Sequence, residues 1–401
     1  MAPFDNTTGL GLASRRDALK GAAAATVASA FGFPAIVRAQ EEVIKLGVLQ
    51  PLSGGLEVLG QQGVQGVQLA VEEANESGGV LDGRMIELVI ADSKTDPKTS
   101  VERTTELIQR DQVTAICGPV TSANRDAIQP SIERFKTPLL YATDYEGGVC
   151  SRYSTCYSAL PEHWVEPFIP FLAEGYGDSF YLFGSDYVWP QKMNEAIRRV
   201  VGEVGGEVVG EEYTPFGVKD FTSTVRKITG SGAKVLVITV VGADAITFVK
   251  QFVAAGGKAD TAIAFFGYSE NYLSGFTKEE SESILCPANF IETLDRPEAR
   301  AFVAKVRDRF GADAVVSNTV DAHYMLTRFF IEGINRAGTV DKEAITDAMV
   351  DQTLMSGNGE VYLRPQDRHV DLNVLLAETA DGRLVLKEYI GPVKAPSQCP
   401  A

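Results

Sequence analysis

Short apolar runs alternate with helical patterns along most of the chain. Runs of strand length, rich in Val, Ile and Leu, predict buried strands at 43–49, 86–91, 113–117, 139–142, 179–183, 207–213, 235–240 and 262–266. Between them, apolar residues recur at helical spacing and predict helices at 60–71, 97–110, 121–135, 164–174, 191–204, 221–229 and 245–255. Alternation of this kind is typical of parallel α/β sheets covered by helices.

The last quarter of the chain has a different pattern. It predicts three helices, at 297–310, 318–337 and 341–351, and then two hairpin strands around Asp381 and Gly382. Because these three helices have no partner strands of their own, we expect the chain to return here to the first of two lobes and to cover its sheet. We therefore expect one lobe from 43–160 plus 289–357, a second from 161–286 plus 361–391, a tail at 392–401, and three crossings between the lobes, near 158–161, 287–291 and 357–361.

Side chains with hydroxyl groups follow two of the predicted strands in the first lobe. Thr121 and Ser122 come after the strand at 113–117, and Tyr141, Thr143 and Tyr145 lie at the end of the strand at 139–142. In parallel sheets such strand ends face the crevice where ligands bind. The alternative is that Ser122 only caps a helix and Thr143 only forms a turn.

Loops after the second-lobe strands carry aromatic, hydroxyl and carboxylate groups. The candidate ligand residues there are Tyr187, Trp189, Val241, Asp244, Ser269 and Glu270. The two aromatic residues can equally be core residues, and the two carboxylates can be helix caps or surface groups.

A glycine face in the first predicted helix needs a separate interpretation. Gly60, Gly63 and Gly66 stand at every third position, which is not the spacing of a dinucleotide-binding fingerprint. We interpret them as a sign that this helix packs closely against the sheet, and we expect no cofactor.

The first 39 residues have the form of an export signal. Arg15 and Arg16 form a twin-arginine motif, an alanine-rich apolar run follows at 21–33, and small residues at 37–39 offer a cleavage site. Because a signal of this form directs export, we expect a periplasmic protein. The apolar run is too short to span a bilayer.

Composition excludes several classes of partner. The formal net charge of −16 argues against nucleic acid and anionic lipid surfaces. The three histidines are scattered and no CxxC motif occurs, so no metal site is expected.

Five cysteines suit an oxidising compartment without forming a disulfide scaffold. Cys150 and Cys156 are close enough in sequence to close a small loop, and we predict a disulfide between them. Cys117 lies in an apolar strand and is expected to be a buried thiol. The pattern leaves Cys286 and Cys399 undecided.

Four motifs, LGVLQPLSGG, GPVTS, YATDYEG and GSDYVWP, together with the order of elements, resemble type I periplasmic solute-binding proteins of ABC transporters. The similarity covers about residues 43–391 and is strongest to the urea and short-chain amide branch, a relative of the leucine/isoleucine/valine binders. It implies two lobes, each a mainly parallel sheet flanked by helices, joined by three hinge crossings. It also implies a monomer that binds a small molecule, works with a membrane permease and catalyses no reaction.

The resemblance also implies roles for individual residues. In that branch an amide is held by residues that correspond to Ser122, Tyr141, Thr143, Tyr187 and Trp189. The chain departs from the pattern in three places, where it has Val120 for an aromatic residue, Asp144 for a proline and Trp189 for a tyrosine. These departures suit a somewhat larger or partly cationic ligand.

Other functions fit the sequence less well. A serine hydrolase using Ser122 or Ser185 lacks the G-x-S-x-G elbow and a histidine at a strand end. A receptor ectodomain would require a membrane segment or a stable partner. Within the binding class, the alternative ligand is a branched-chain or other amino acid.

The twin-arginine interpretation predicts the effect of a double substitution. Arg15→Lys with Arg16→Lys should leave the uncleaved precursor in the cytoplasm, because the paired arginines are the address that the export machinery reads. Cell fractionation and immunoblotting measure this. Normal periplasmic maturation of the double variant would contradict the interpretation.

Overall fold

A computed structural model describes residues 43–400. The export signal predicted at residues 1–39 lies outside the described residues. Within 43–400 the chain forms two largely parallel sheets with flanking helices, which confirms the predicted fold class. No helix in this part of the chain is long and apolar enough to cross a membrane.

The first sheet is parallel throughout and has the strand order β2-β1-β3-β4-β5. Its strands are β1 (Ile44–Gln50), β2 (Ile86–Asp92), β3 (Ala115–Cys117), β4 (Leu139–Tyr141) and β5 (Ser154–Cys156). The helices between them are α1 (Glu57–Glu76), α2 (Pro97–Gln109) and α3 (Ser122–Arg134). Thr121 caps α3, because its side chain accepts a hydrogen bond from the Asn124 N–H.

The second sheet is built on five parallel strands. They are β6 (Ser179–Ser185), β7 (Glu207–Thr214), β8 (Val235–Thr239), β9 (Ala262–Phe265) and β10 (Ile284–Ala288). The helices are α4 (Pro161–Gly175), α5 (Val188–Glu203), α6 (Thr222–Ser231), α7 (Gly242–Ala254), and the short α8 (Glu270–Leu273) and α9 (Lys278–Ser281), with a 3-10 turn at Gly257–Ala259.

The remaining elements are three helices and four strands. They are α10 (Pro297–Phe310), α11 (Asn318–Ala337), α12 (Lys342–Ala348), β11 (Gln352–Ser356), β12 (Gly359–Leu363), β13 (Val370–Ala380) and β14 (Arg383–Val393). The strands extend the second sheet to the order β11-β12-β13-β10-β9-β8-β6-β7, and β14 pairs with β13 around the predicted turn.

Helices α10 to α12 pack on the side of the first sheet, where α10 and α11 contact α1 and α12 contacts α11. Helix α11 packs along α1. Ion pairs join α10 to α1 as well, between Lys305 and Glu73 at 2.8 Å and between Arg309 and Glu72. The elements around the first sheet therefore come from two separate parts of the chain, one before and one after the segment that forms β6 to β10.

The glycine face of α1 permits close packing, as predicted, but its partners include a second helix. A Cβ atom at Gly66 would collide with the Val320 carbonyl of α11, and one at Gly60 with the Pro51 carbonyl after β1. The helix thus approaches both the end of a strand and α11 more closely than a helix with side chains on that face could.

The sequence pattern missed β5, β10, β11 and β12. Strand β5 is only three residues long and polar, so it carries no apolar run. Strand β10 contains Pro287, which lacks the N–H that a sheet interior uses, and the strand overlaps the range 287–291 in which a crossing between the lobes is predicted.

The predicted disulfide between Cys150 and Cys156 is wrong, because Cys150 is bonded to Cys399 instead. Cys156 is a free thiol in β5 with its side chain wholly buried, whereas Cys150 lies exposed in the loop before that strand. The prediction relied on proximity in sequence. In the structure one side chain is exposed and the other is buried in the sheet, so the two do not meet. Cys117 is a buried free thiol, as predicted, and burial raises its pKa to about 12.

The disulfide anchors the end of the chain against the first sheet. After β14, the tail runs back to the loop that follows β4, where the Gly148 N–H donates to the Gln398 side chain at 2.7 Å. The Gln398 N–H in turn donates to Asp367 at 2.9 Å. The last strand of the second sheet is thus tied covalently to a loop of the first.

This connectivity predicts the result of peptide mapping. The unreduced protein should yield one linked peptide pair containing Cys150 and Cys399. Cys117, Cys156 and Cys286 should react with an alkylating agent only after unfolding, because all three are buried. Cys399→Ser should lower the free energy of unfolding by about 2–5 kcal/mol, measured in denaturant, because the unfolded chain loses a long-range constraint. A linked pair containing Cys156 would contradict the structure.

Candidate functional site

A cavity of about 110 Å³ lies between the two sheets. Residues that follow the carboxyl ends of β1, β3, β4, β6, β8 and β9 line it, which is where ligands of parallel α/β sheets bind. The edge strands β2 and β7 contribute nothing to its wall. One water needs roughly 10–15 Å³ of such space, so the cavity has room for a ligand of several non-hydrogen atoms.

Four residues after β3 and β4 form the polar wall on the first-sheet side: Thr121, Ser122, Thr143 and Asp144. Three of these were predicted as ligand residues. The Ser122 hydroxyl donates its hydrogen bond to Glu146 at 2.7 Å. Because its proton is used there, Ser122 presents lone pairs to the cavity.

Tyr141 and Tyr145, also predicted as ligand residues, lie behind this wall and do not line the cavity. The Tyr141 hydroxyl donates to the Val120 carbonyl at 2.9 Å, and the Tyr145 hydroxyl bonds His369 at 2.5 Å. The Arg125 guanidinium lies over both rings, 5.0 and 4.6 Å from their centroids. The two tyrosines therefore support the loop that carries Thr143 and Asp144.

The opposite wall contains four predicted residues of the second sheet: Tyr187, Trp189, Val241 and Ser269. Trp189 is only 6% exposed and belongs to the hydrophobic core as well as to the cavity wall. Its indole N–H is buried and has no hydrogen-bond partner among the described residues. A buried donor without a partner costs about 1–3 kcal/mol, so a ligand that accepts from it gains this energy back.

Asp244 and Glu270 do not line the cavity, contrary to the prediction. Asp244 accepts from the Gly217 N–H at 2.7 Å and pairs with Lys219 at 3.8 Å. Glu270 accepts from the Glu292 N–H at 2.8 Å, and burial raises its pKa to about 8. Both carboxylates hold backbone segments near the cleft.

Several residues that line the cavity were not predicted from the sequence, and they include Leu56, Leu59, Trp164, Tyr272, Asn318 and Thr319. Asn318 and Thr319 begin α11, about 170 residues after the strand ends that they face. The only available signal was the predicted start of that helix. Trp164 donates its indole N–H to Asn289 at 3.1 Å, so unlike Trp189 it has a partner.

Among residues 43–400, Asp144 is the only charged residue that lines the cavity. Its carboxylate accepts from the Ala159 N–H at 2.6 Å and from the Asn318 amide at 3.0 Å. Burial raises its pKa to about 7 because no cation compensates for the lost hydration. Beside it, the carbonyl oxygen of the Asn318 side chain has no hydrogen-bond partner within the part of the chain that the structure describes.

The histidines are placed where they cannot activate a serine. His163 accepts from the Leu160 N–H, His323 bonds Gln50, and His369 bonds Tyr145. Ser185 accepts from the Val241 N–H. Neither serine of the hydrolase alternative is therefore paired with an imidazole. Among residues 43–400 no group of three His, Cys, Asp or Glu side chains is arranged to hold a metal ion.

Two lobes that face each other across one cavity are the arrangement expected of a solute-binding protein, and comparison with known families agrees. A family described as periplasmic binding protein matches residues 43–383. The chain belongs to the periplasmic binding protein family. Members of this family bind solutes and do not convert them, and membership implies a periplasmic location.

Curated relatives of this periplasmic binding protein carry names that refer to branched-chain amino acids. Leu/Ile/Val-binding protein homolog 6 of Brucella melitensis is 24% identical over 87% of this chain and 92% of its own length. Homolog 7 of Brucella suis is 23% identical over 76% of this chain and 80% of its own length.

Solved structures of similar fold contain different ligands. A solute-binding protein of Rhodopseudomonas palustris HaA2, in complex with p-hydroxybenzoic acid, is 25% identical with a TM-score of 0.80, over 89% of this chain and 98% of its own. LivJ of Streptococcus pneumoniae, in complex with isoleucine, is 21% identical with a TM-score of 0.80, over 88% and 100% of the two chains. The latter likeness shows the fold alone.

The raised pKa values of Asp144 and Glu270 predict how stability depends on pH. Each group is raised in the folded state, from 3.8 to about 7 and from 4.5 to about 8. Each group favours the folded state as long as it is protonated there, so its stabilising effect is fully present below about pH 4. The free energy of unfolding then falls as the pH rises towards 8 and the buried groups ionise. In Asp144→Asn the melting temperature should fall less between pH 5 and pH 8 than it does in the wild-type protein.

Thermal unfolding of both proteins without ligand, at matched ionic strength, measures this difference. The tyrosines that face or adjoin the site, Tyr157, Tyr187 and Tyr272, all have pKa values raised by burial, so they stay neutral in this range. Equal slopes in the two proteins would contradict the assignment of Asp144 as a titrating group.

Proposed function

We propose that this periplasmic binding protein is the substrate-binding component of an ABC importer and captures a small solute of the urea or short-chain amide type. The solute would lie in the cavity between the lobes and be delivered to a membrane permease. The nature of the hydrogen-bonding groups that the cavity leaves available carries this proposal.

The first-sheet side of the cavity presents acceptors. The Ser122 hydroxyl already donates its hydrogen bond to Glu146, Asp144 is a carboxylate, and the Asn318 carbonyl oxygen is without a partner among residues 43–400. The second-sheet side presents the unpartnered N–H of Trp189. A primary amide has two N–H donors and one carbonyl acceptor, so it can satisfy both sides at once.

Aromatic rings add selectivity for a compact solute. Trp164, Tyr187, Trp189 and Tyr272 surround the polar groups and exclude water from them. Within such a wall each hydrogen bond that a wrong ligand fails to make costs about 1–3 kcal/mol. Because the first-sheet side of the cavity presents acceptors, a solute that turns only acceptor groups towards that side binds less tightly.

Hinge closure would complete the site. The groups that contact the ligand come from both lobes, and Leu56 of the first lobe lies 3.7 Å from the position of a Cβ at Gly242 of the second. Contacts made only when the lobes approach can shift the protein towards a closed state.

A branched-chain or other amino acid is the second candidate. Helices α3 and α11 begin at the cavity, and the partial positive charge of a helix N-terminus suits a carboxylate. The curated relatives named for Leu, Ile and Val support the same class.

The unpartnered indole N–H gives a direct test. Trp189→Phe should weaken binding of the best amide or amino acid by about 1–3 kcal/mol, because the ring remains while the hydrogen bond is lost. Isothermal calorimetry of the purified protein, after a thermal-shift screen of amides, ureas and amino acids, measures the change.

Trp164→Phe is the matched control. Its N–H already bonds Asn289, so this variant should lose thermal stability without ligand and change affinity less than Trp189→Phe does. Unchanged affinity in Trp189→Phe would contradict the proposed site. Failure of every amide, urea and amino acid to bind would contradict the proposed function.

A further inference from the structure

Asp144 creates an imbalance of charge inside the cavity. Of the described residues, 19 line the cavity, and Asp144 is the only one of these with an ionisable acid or base other than tyrosine. Its two hydrogen bonds come from neutral groups, the Ala159 N–H and the Asn318 amide. No cation is among the groups that shift its pKa.

Such a carboxylate is costly unless something compensates for it. Burying a charge without a partner is unfavourable by several kcal/mol, and proteins normally pair such groups. The nearest buried acid of the same loop, Glu146, follows this rule, since Arg125 lies 3.1 Å from it. Asp144 has no equivalent within the described chain, although it faces the space that a ligand would fill.

The surroundings of Asp144 suit a cationic nitrogen in particular. The Asn318 carbonyl oxygen beside it is a second acceptor without a partner. The aromatic rings of Trp164, Tyr187, Trp189 and Tyr272 line the same cavity, and ring faces attract cations. Two acceptors, one of them charged, together with aromatic walls describe a receptor for an ammonium group.

We infer that the ligand carries a positively charged amino group and that Asp144 is the residue that selects for it. This inference rests on the proposed function and narrows it. If the ligand is a short-chain amide, the inference requires that the amide carry an amino substituent, and it excludes urea itself. If the ligand is an amino acid, the inference places its ammonium group beside Asp144.

A structural role is the competing explanation for Asp144. Its carboxylate could serve only to hold Ala159 in the segment between β5 and α4, and to orient Asn318 at the start of α11. In that case the residue would matter for stability and for all ligands equally. The two explanations differ in how affinity depends on ligand charge.

Two pairs of probes separate them, because the members of each pair differ by an ammonium group in place of a methyl group. Glycinamide is compared with propionamide, and alanine with isobutyrate. Calorimetry on the wild-type protein at pH 7.5 should show tighter binding of the ammonium member, by about ten- to hundredfold. This comparison requires no variant, so it does not depend on whether a substitution folds.

Asp144→Asn should abolish that preference while keeping the shape of the site. The asparagine carbonyl can still accept from Ala159, and Asn318 can turn its unpartnered oxygen towards the new amide. Asp244→Asn is the matched control, because it removes one negative charge near the cleft from a residue that does not line the cavity. It should retain the wild-type preference.

The outcomes are distinguishable. Equal affinity for both members of each pair in the wild-type protein overturns the inference and leaves the proposed function in place. An equal loss of affinity for both members in Asp144→Asn assigns the residue a structural role and also overturns it. Binding of none of the four probes overturns the inference, and the wider screen of amides, ureas and amino acids then decides separately whether the proposed function stands.

Discussion

The site depends on one constraint, which is that parallel strands in both sheets end on the same cavity. Parallel pairing sends every carboxyl end to one edge of its sheet, and the two edges face each other. Loops that are distant in sequence, such as those carrying Ser122 and Trp189, are thereby brought together without any pairing between them. The helices that follow these strands begin at the cavity for the same reason, so backbone N–H groups accompany the side chains there.

Polar groups in and near the cleft fall into two sets. Glu146 and Asp244 each receive hydrogen bonds from the protein and are paired with a cation. Glu270 receives one hydrogen bond, from the Glu292 N–H, while its second oxygen has no partner among the described residues, but this carboxylate does not line the cavity. Within the described chain, the Trp189 indole N–H and the Asn318 carbonyl oxygen lack hydrogen-bond partners, and the Asp144 carboxylate lacks a compensating charge; all three residues line the cavity. Since buried polar groups in native proteins are nearly always satisfied, the second set marks the surface that a ligand completes. The first set holds the loops that position it.

The connections between the lobes combine hydrogen bonds with one covalent bond. Asp144 holds the Ala159 N–H between β5 and α4, and Glu270 holds the Glu292 N–H between β10 and α10. The Cys150–Cys399 disulfide adds a link between the last strand of the second sheet and the loop after β4. That loop carries Thr143 and Asp144, so the same segment serves the cavity and the anchoring of the tail.

Local patterns were sufficient for the helices of ten or more residues and for ten of the fourteen strands between residues 43 and 400, because period and apolar content report burial within one element. Helices α10 and α11 begin and end where the spacing predicted, and Thr121 caps α3. The strand-end rule also identified Ser122, Thr143, Tyr187 and Trp189 as residues of one crevice. Short strands such as β5 escaped, since three polar residues form no pattern and pair only because β4 lies beside them. The partner of Cys150, the supporting role of Tyr141 and Tyr145, and the place of Asn318 beside Asp144 were decided by tertiary structure alone. Each of these depends on distances between segments far apart in the chain, and no local period encodes such distances.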